Sequence, residues 1–119
     1  MQIIVTEPAG AALLSGKPWA PHKIQGWTPD FLPANLKREV AHRIVPVTDT
    51  EAVETSRSLA RSEGIFCGIS SGATFAAALK VAADAPQGAV LLAMLPDTGE
   101  RYLSTVLFEG IAEGSDPEP

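Results

Sequence analysis

The chain has 119 residues, of which 45% are hydrophobic and 19% are charged, and its formal net charge is −5. These values are typical of one soluble globular domain, and the negative charge argues against nucleic acid or an acidic membrane surface as a partner. Cys67 is the single cysteine, so no disulfide can form within the chain. Neither a secretory leader nor an apolar run of roughly 20 residues is evident, and we therefore expect a cytoplasmic protein.

Two short strands are predicted in the first half of the chain. Gln2 to Thr6 is apolar and β-branched and ends at Glu7-Pro8, and Ile44 to Val47 has the same character. Pro46 favours an edge position or a bulge for the second strand. The first strand reads as a central strand that lacks an upstream neighbour.

The intervening residues 9–43 are broken repeatedly by proline and glycine, and a short helix is expected only at Leu32 to Ala41. A long irregular segment of this kind is typical of a functional loop, or of a piece that packs on something absent. Trp19, Trp27 and Phe31 lie within it, and these large side chains need a surface to bury against.

The next predicted element is a helix with clear start and stop signals. Thr48 and Glu51 have the spacing of a capping box, in which each side chain satisfies a main-chain N–H of the other residue. A narrow apolar stripe follows to about Ser62, and Gly64 is suited to end the helix.

The second half of the chain reads as helix, strand and tail. Ala73 to Ala85 is apolar almost all round and predicts a helix buried on most faces. Ala89 to Leu95 is a continuous apolar run, which is typical of a parallel-sheet strand covered on both faces. Gly99 to Glu109 predicts a turn and a short helix, and the acidic residues 110–119 are expected to be a disordered tail.

The stretch Gly68-Ile69-Ser70-Ser71-Gly72 connects to the predicted helix at Ala73. The first turn of a helix presents main-chain N–H groups that lack intrahelical partners and favour anions or other acceptors. The serines equally suit the capping position of a core helix that binds no ligand. Residue types alone leave both interpretations open.

Three blocks, in order, resemble the cysteine synthase family of pyridoxal-phosphate enzymes, which make cysteine from O-acetylserine and sulfide. They are Pro21-His22-Lys23-Ile24-Gln25-Gly26, Gly68-Ile69-Ser70-Ser71-Gly72-Ala73, and the run from Pro96 through Gly99-Glu100-Arg101-Tyr102 to Ser104. The resemblance extends from Gln2 to about Glu109 but covers only the carboxy-terminal part of the family. It implies an α/β fold, a partial three-layer αβα large domain of the tryptophan synthase β-like (fold type II) enzymes.

The resemblance also implies roles for individual residues. Ser70 would hydrogen-bond the pyridine nitrogen of pyridoxal phosphate. A neutral serine leaves that nitrogen largely unprotonated, which suits replacement at the β carbon. Gly26, Gly68 and Pro96 are candidates for positions near the site, and Asp97 is a further candidate because it follows the predicted strand, where α/β sheets bind ligands. After Gly26 the chain reads Trp27-Thr28-Pro29, where many family members have small residues, so the substrate stays open.

Other chemistries are less well supported by the sequence. Gly68 to Gly72 also fits the G-x-S-x-G pattern of serine hydrolases, but His22 and His42 both precede Ser70, whereas that fold places its histidine after the serine. His22 and Lys23 are expected to be exposed loop residues, and the two histidines with one cysteine make no convincing zinc site.

Cys67 is expected to be a small buried hydrophobic residue. Glu100-Arg101-Tyr102 could form an active-site trio, but a structural ion pair with a packed tyrosine is the favoured interpretation.

By resemblance, the family's Schiff-base lysine, substrate loop and phosphate cradle all lie upstream of the residues matched here. None of Lys17, Lys23, Lys37 and Lys80 stands in the context of that lysine. We therefore expect residues 1–109 to be a carboxy-terminal enzyme segment that is inactive alone.

The alternative hypothesis is a non-catalytic fragment or interaction module that packs on a partner subunit. By resemblance, the parent enzyme would bind a small amino-acid substrate and form a homodimer, and serine acetyltransferase is a further candidate partner.

Overall fold

The computed structural model describes residues 1–24, 26–102 and 107. It contains strands β1 (Ile4–Pro8) and β2 (Arg43–Val47) and helices α1 (Asp49–Glu63) and α2 (Ile69–Asp84). Single 3₁₀ turns lie at Ala9–Ala11, Leu13–Ser15, Arg38–Val40 and Gly99–Tyr102. β2 and the capped helix therefore lie where the sequence predicts them, whereas β1 begins two residues later than predicted and includes Glu7 and Pro8.

β1 and β2 form a parallel pair, with Ile4 opposite Arg43 and Pro8 opposite Val47. Among the described residues β2 pairs with β1 alone, so Pro46 lies in an edge strand, where its missing N–H costs no ladder bond. The chain leaves β1 through a loop held by Glu7, which is 1% exposed. Its carboxylate accepts the N–H groups of Leu14 and Ser15 at 2.8 and 3.1 Å.

Helix α1 has the capping box that the sequence predicts. The Thr48 hydroxyl accepts the Glu51 N–H, and the Glu51 carboxylate accepts the Thr48 N–H, each at 3.1 Å. Gly64 ends the helix in the left-handed conformation, with φ of 69°. Helix α1 packs against α2 and contributes Ala52, Ser56 and Leu59 to the buried interior.

The core lies between the strand pair and the two helices. Helix α2 is buried through its first half, whereas Leu79 is 52% exposed, so the expectation of burial on most faces holds only near its start. Leu107 belongs to the core, and the Arg57 side chain donates to its main-chain oxygen. The buried apolar cluster comprises Ile24, Val45, Val47, Ala52, Ile69, Ala73, Ala76, Ala77 and Leu107.

Two predicted elements differ from the structure. The helix expected at Leu32 to Ala41 is reduced to the 3₁₀ turn at its end, because its apolar residues Leu32, Leu36 and Val40 find no surface and stay exposed. The apolar run Ala89 to Leu95 forms no ladder, and Val90 and Leu92 are each 96% exposed. A strand needs a hydrogen-bonded neighbour, and none of the described strands lies beside this run.

The three aromatic residues of the loop differ in their surroundings. Trp27 packs partly buried against the core of its own chain, and the Trp19 indole donates to the Thr28 carbonyl at 2.9 Å. Phe31 is 60% exposed. The expectation of a missing surface therefore fails for Trp27. Apart from Leu107, the predicted helix beyond Tyr102 lies outside the described residues, as does the acidic tail 110–119.

Candidate functional site

The site is built on the first turn of α2. This helix begins at Ile69, four residues earlier than predicted, and Gly68 is its N-cap. Ser70 and Ser71 therefore lie inside the first turn, and neither caps the helix. Ser70 is 6% exposed and Ser71 is fully buried, so two hydroxyls are held in the interior beside a helix N-terminus. Of the two interpretations that residue types leave open, capping of the helix by a serine side chain is therefore wrong, because the N-cap is Gly68.

Ser71 joins this turn to the residues that follow the apolar run. Its hydroxyl donates to the Asp97 carboxylate at 2.7 Å, and it accepts the Asp97 N–H at 3.3 Å. The Gly68 N–H also donates to the Asp97 carbonyl, at 3.4 Å. These hydrogen bonds bring Gly68, Asp97 and the serine pair together.

The segments 66–68 and 97–99 run side by side next to these serines. Cys67 and Thr98 form an antiparallel bridge, and the Gly99 N–H donates to the Phe66 carbonyl at 3.2 Å. A Cβ on Gly99 would lie 2.6 Å from the Phe66 ring, so a larger residue at this position would displace that ring. The sequence indicated no role for Phe66, because a contact between distant segments leaves no local pattern.

Ser56 fixes the start of α2 from the other side. Its hydroxyl lies 2.8 Å from the Gly68 carbonyl and 2.9 Å from the Ala52 carbonyl. Gly72 packs directly against it, and a Cβ on Gly72 would lie 2.0 Å from the Ser56 hydroxyl. The sequence predicts only a narrow apolar stripe along this helix, and Ser56 lies within that stripe. Its polarity within that stripe was the available signal for this bridging role.

The block from Pro21 to Gly26 lies at the edge of the same core. Ile24 is fully buried in the cluster that contains Ile69, and the Lys23 N–H donates to the Asp49 carboxylate at 3.0 Å. Gly26 is exposed and has φ of 85°, which favours glycine. No described hydrogen bond links Gly26 to the serine turn, so its place near the site stays a prediction. Gln25 lies outside the described residues.

Neither histidine forms a hydrogen bond with Ser70 or Ser71 in the described part of the chain. His22 Nδ1 accepts the Ile24 N–H at 3.2 Å, which leaves Nε2 to donate to the Thr28 carbonyl at 3.1 Å. His42 Nδ1 accepts the Ile3 N–H at 2.9 Å. Both histidine rings are therefore hydrogen-bonded to main-chain groups of loops and not to either serine. This arrangement does not favour a serine hydrolase.

Cys67 is 3% exposed and lies beside the candidate site. Burial raises the pKa of its thiol, and the neighbouring Asp97 carboxylate raises that pKa further. The protonated thiol is a poor nucleophile. Cys67 therefore acts as a small buried side chain, as the sequence predicts.

Other classes of site find no support in the described residues. These residues include no group of three or more histidine, cysteine, aspartate or glutamate side chains arranged to hold a metal ion. None of the helices they form combines the length and apolar character needed to cross a membrane. Pro96 and Glu100 are exposed. An ion pair involving Glu100 and Arg101 stays untested.

Comparison with known proteins gives a consistent family match. The model of the pyridoxal-phosphate dependent enzyme family matches residues 1–97. O-ureido-L-serine synthase of Streptomyces lavendulae is 55% identical over 116 residues, which are 98% of this chain and 36% of that protein. Cysteine synthase of Staphylococcus aureus is 42% identical over 108 residues, which are 91% of this chain and 35% of that protein.

Solved structures agree with these sequence matches. The crystal structure of O-ureido-L-serine synthase superposes with a TM-score of 0.92 at 55% identity, over 98% of this chain and 37% of that chain. Cysteine synthase from Entamoeba histolytica gives a TM-score of 0.87 at 40% identity, over 96% of this chain and 34% of that chain. The chain thus spans about a third of the length of the relatives that it matches.

Proposed function

The chain belongs to the pyridoxal-phosphate dependent enzyme family, and we propose that residues 1–109 are the carboxy-terminal segment of a cysteine synthase-like enzyme. The observation that carries the proposal is the buried Ser70 hydroxyl, placed in the first turn of α2 within the part of the chain that matches the family. The relatives of this chain have the fold type II architecture that the resemblance implies.

The residues around Ser70 fit the pyridine end of the cofactor. A hydroxyl can donate to a ring nitrogen without holding a proton on it, whereas a carboxylate would favour the protonated ring. Ser71 donates to the Asp97 carboxylate, which ties the turn to the chain after the apolar run, and the Thr74 hydroxyl donates to the Ser70 carbonyl at 3.1 Å within α2. Ser70 would therefore orient the ring from a fixed helix start.

The cofactor, when bound, supplies the electron sink for replacement at the β carbon of an amino acid. Ser70 keeps the ring nitrogen neutral in this scheme, and Ser56 and Asp97 hold Ser70 in place through Gly68 and Ser71. Lys80 has a different role, because its ammonium lies 2.7 Å from the Glu51 carboxylate. The lysine that would capture the cofactor covalently is proposed to lie outside this chain.

Cysteine and O-ureido-L-serine are the two products to assay. The resemblance favours cysteine from O-acetylserine and sulfide, and the 55% identical relative is named for O-ureido-L-serine. O-Phosphoserine, or serine with homocysteine, are further substrates to compare. A homodimer of the parent enzyme and an association with serine acetyltransferase are proposed on the resemblance alone.

A chimera tests the proposal directly. This chain replaces the aligned 116 residues of the Streptomyces lavendulae enzyme, and the purified chimera receives pyridoxal phosphate. We expect a visible cofactor band that borohydride reduces onto a lysine of the relative, together with formation of one of the two products. A folded chimera without that band would contradict the proposal.

The 119-residue chain alone is expected to be inactive. One net hydrogen bond from Ser70 contributes about 1 kcal/mol, which is too little to hold a small ligand by itself. Without a phosphate cradle, the dianionic end of the cofactor lacks its strongest anchor. A borohydride-reducible adduct on Lys17, Lys23, Lys37 or Lys80, with turnover of O-acetylserine, would refute this expectation.

A further inference from the structure

The side chain of His22 closes a loop between β1 and β2. We call residues 19–24 and 26–28 the histidine loop. His22 Nδ1 accepts the Ile24 N–H at 3.2 Å, and His22 Nε2 lies 3.1 Å from the Thr28 carbonyl oxygen. The two nitrogens of one ring therefore join two main-chain groups of the loop.

Only one form of the imidazole can make both contacts. A main-chain N–H can only donate, so Nδ1 must accept from Ile24 and carry no proton, and Nε2 must carry the proton that it donates to the Thr28 carbonyl. A proton added at Nδ1 would place two N–H groups face to face. The closed loop thus requires a neutral ring, and imidazoles generally change their charge between about pH 5 and 8.

Loss of the contact at Nδ1 would act on the core through Ile24. The Ile24 side chain is fully buried in the cluster that contains Ile69 and Ala73. A main-chain N–H that loses its acceptor must find water, so the main chain at Ile24 must move outward. The charged ring binds the Thr28 carbonyl more strongly than the neutral ring does, and the contact that breaks is therefore the one to Ile24.

The far side of the loop is strained. Thr28 has φ of 30°, a positive value that β-branched residues rarely adopt. Its carbonyl accepts the Trp19 indole N–H at 2.9 Å in addition to the contact from His22, and the two rings meet edge to face with centroids 6.4 Å apart. These contacts hold a strained residue in place, so a shift of the His22 ring allows the loop to relax.

No carboxylate stabilises the charged ring in the closed position. In the described part of the chain, the hydrogen bonds of His22 are the two to Ile24 and Thr28, and it forms no ion pair. The Asp49 carboxylate accepts the Lys23 main-chain N–H at 3.0 Å instead. The charged residues of the adjoining segments are Lys17, Lys23, Asp30 and, at the start of α1, Asp49.

We propose that His22 is a pH-sensitive switch of the histidine loop. Above about pH 7 the neutral imidazole closes the loop and keeps Ile24 in the core. Below about pH 6 a proton from solvent binds Nδ1, the Ile24 N–H is released and the loop opens. The ring is only partly buried, so solvent reaches it. The switch goes beyond the proposed activity and does not involve the cofactor.

Tryptophan fluorescence provides a readout confined to this loop, because Trp19 and Trp27 are the two tryptophans of the chain. The purified 119-residue chain is titrated from about pH 7.5 to about pH 5. This range stays above the titration of Glu51, since the pKa of that carboxyl is held below 4.5. We expect the emission maximum to move to longer wavelength as Trp27 leaves the core, with unchanged helical circular dichroism.

The midpoint of the fluorescence change should equal the midpoint of His22 protonation, followed in the same chain by NMR of the ring protons. Hydrogen exchange at the Ile24 amide, corrected for the intrinsic effect of pH, should become about fivefold faster or more across the range. Different midpoints, an emission maximum that does not move, or a parallel loss of helical circular dichroism would each overturn the proposal.

Three variants make the test specific. His22→Asn keeps an acceptor, because the Asn side-chain oxygen accepts an N–H two residues along the chain and does not titrate, so this variant should show no shift. His22→Ala lacks the acceptor and should emit at long wavelength throughout. His42→Asn removes the other imidazole, whose Nδ1 accepts the Ile3 N–H at 2.9 Å, and should keep the shift of the parent.

An equal shift in the parent and in His22→Asn would overturn the proposal, as would its loss in His42→Asn. A spectrum of His22→Ala that matches the parent at neutral pH would show that the ring does not hold the loop, and would also overturn it. If His22→Asn does not fold, the matched midpoints in the parent decide the question. None of these readouts needs pyridoxal phosphate, so a failure here is distinguishable from a failure of the chimera.

Discussion

The hydroxyl of Ser71 and the carboxylate of Asp97 are 2.7 Å apart, although 26 positions separate the two residues in the chain. Ser71 also accepts the Asp97 N–H, so the contact fixes the main chain after the apolar run against the first turn of α2. Ser70 adjoins this contact. Ser70 is the residue proposed to contact the cofactor. Its position therefore depends on its neighbour Ser71, for which no contact with the cofactor is proposed.

Replacement of Ser71 by alanine should reveal the strength of this contact. We expect Ser71→Ala to lower the free energy of unfolding by about 1–3 kcal/mol, because it removes a donor from the Asp97 carboxylate in a partly buried contact. Urea denaturation followed by circular dichroism measures the change. Ser58→Ala, at an exposed position of α1, is the matched control and should stay within about 0.5 kcal/mol of the parent. Equal values for both variants would contradict the assignment.

Local sequence signals predict the ends of α1 well. The start of α2 depends instead on contacts between distant segments, which the sequence does not reveal. Thr48, Glu51 and Gly64 act on residues within one turn, so their pattern reads directly as helix ends. The start of α2 was missed because Gly68 and the two serines resemble a turn, while packing of Gly72 on Ser56 extends the helix back to Ile69. That packing has no local signature.

The apolar run from Ala89 to Leu95 shows the opposite case. Its composition predicts a buried strand, yet strand formation depends on a neighbour that the described residues do not supply. The position of Asp97 after this run predicts that it lies near the site, but its distance from Ser71 depends on how two segments pack. The sequence thus identifies Asp97 as a candidate residue, but it does not identify Ser71 as its hydrogen-bond partner.

Gly72→Ala should strongly destabilise the chain. The added Cβ would lie 2.0 Å from the Ser56 hydroxyl and 2.4 Å from the Ala52 carbonyl oxygen, so α1 and α2 must move apart. We expect a loss of about 3 kcal/mol in the free energy of unfolding, measured by urea denaturation. Gly10→Ala, where no atom lies within 4 Å of the new Cβ, is the control and should be close to neutral.

The double variant Gly72→Ala/Ser56→Ala should not recover that loss. Removal of the Ser56 hydroxyl leaves the Ala52 carbonyl and the Ser56 main-chain nitrogen, at 2.4 and 2.7 Å from the added Cβ. Full recovery by the double variant would show that the side chain of Ser56, rather than the main chain of α1, limits the approach of the helices.

Glu51 should make the stability of α1 depend on pH. Burial raises the pKa of its carboxyl, but hydrogen bonds from Lys80 and Thr48 outweigh burial and hold the pKa below the ordinary value of a glutamate, 4.5. Because the folded pKa lies below the unfolded one, this stabilisation is fully present above about pH 4.5 and is lost as the pH falls through the folded pKa.

The measurement for Glu51 is urea denaturation between pH 7 and the acid range. Glu51→Gln should reduce the difference between neutral and acid stability, and Glu54→Gln, at an exposed position of the same helix, should leave that difference unchanged. An identical acid dependence in the parent and in Glu51→Gln would show that the capping carboxylate contributes nothing to it.

Ser70 is the residue on which the proposed cofactor site depends most. In the chimera with the Streptomyces lavendulae enzyme, Ser70→Ala should weaken binding of pyridoxal phosphate about fivefold, which corresponds to the loss of one net hydrogen bond of about 1 kcal/mol. Titration of the visible cofactor band measures this affinity, and Ser58→Ala should leave it unchanged.

Ser70→Asp adds a readout that a purely structural role would not affect, because a carboxylate beside the ring nitrogen favours its protonation. We expect the visible spectrum of Ser70→Asp to change with pH over a different range from that of the parent chimera. Unchanged cofactor affinity in Ser70→Ala, together with an unchanged pH profile in Ser70→Asp, would remove Ser70 from the cofactor site and leave it a buried serine of α2.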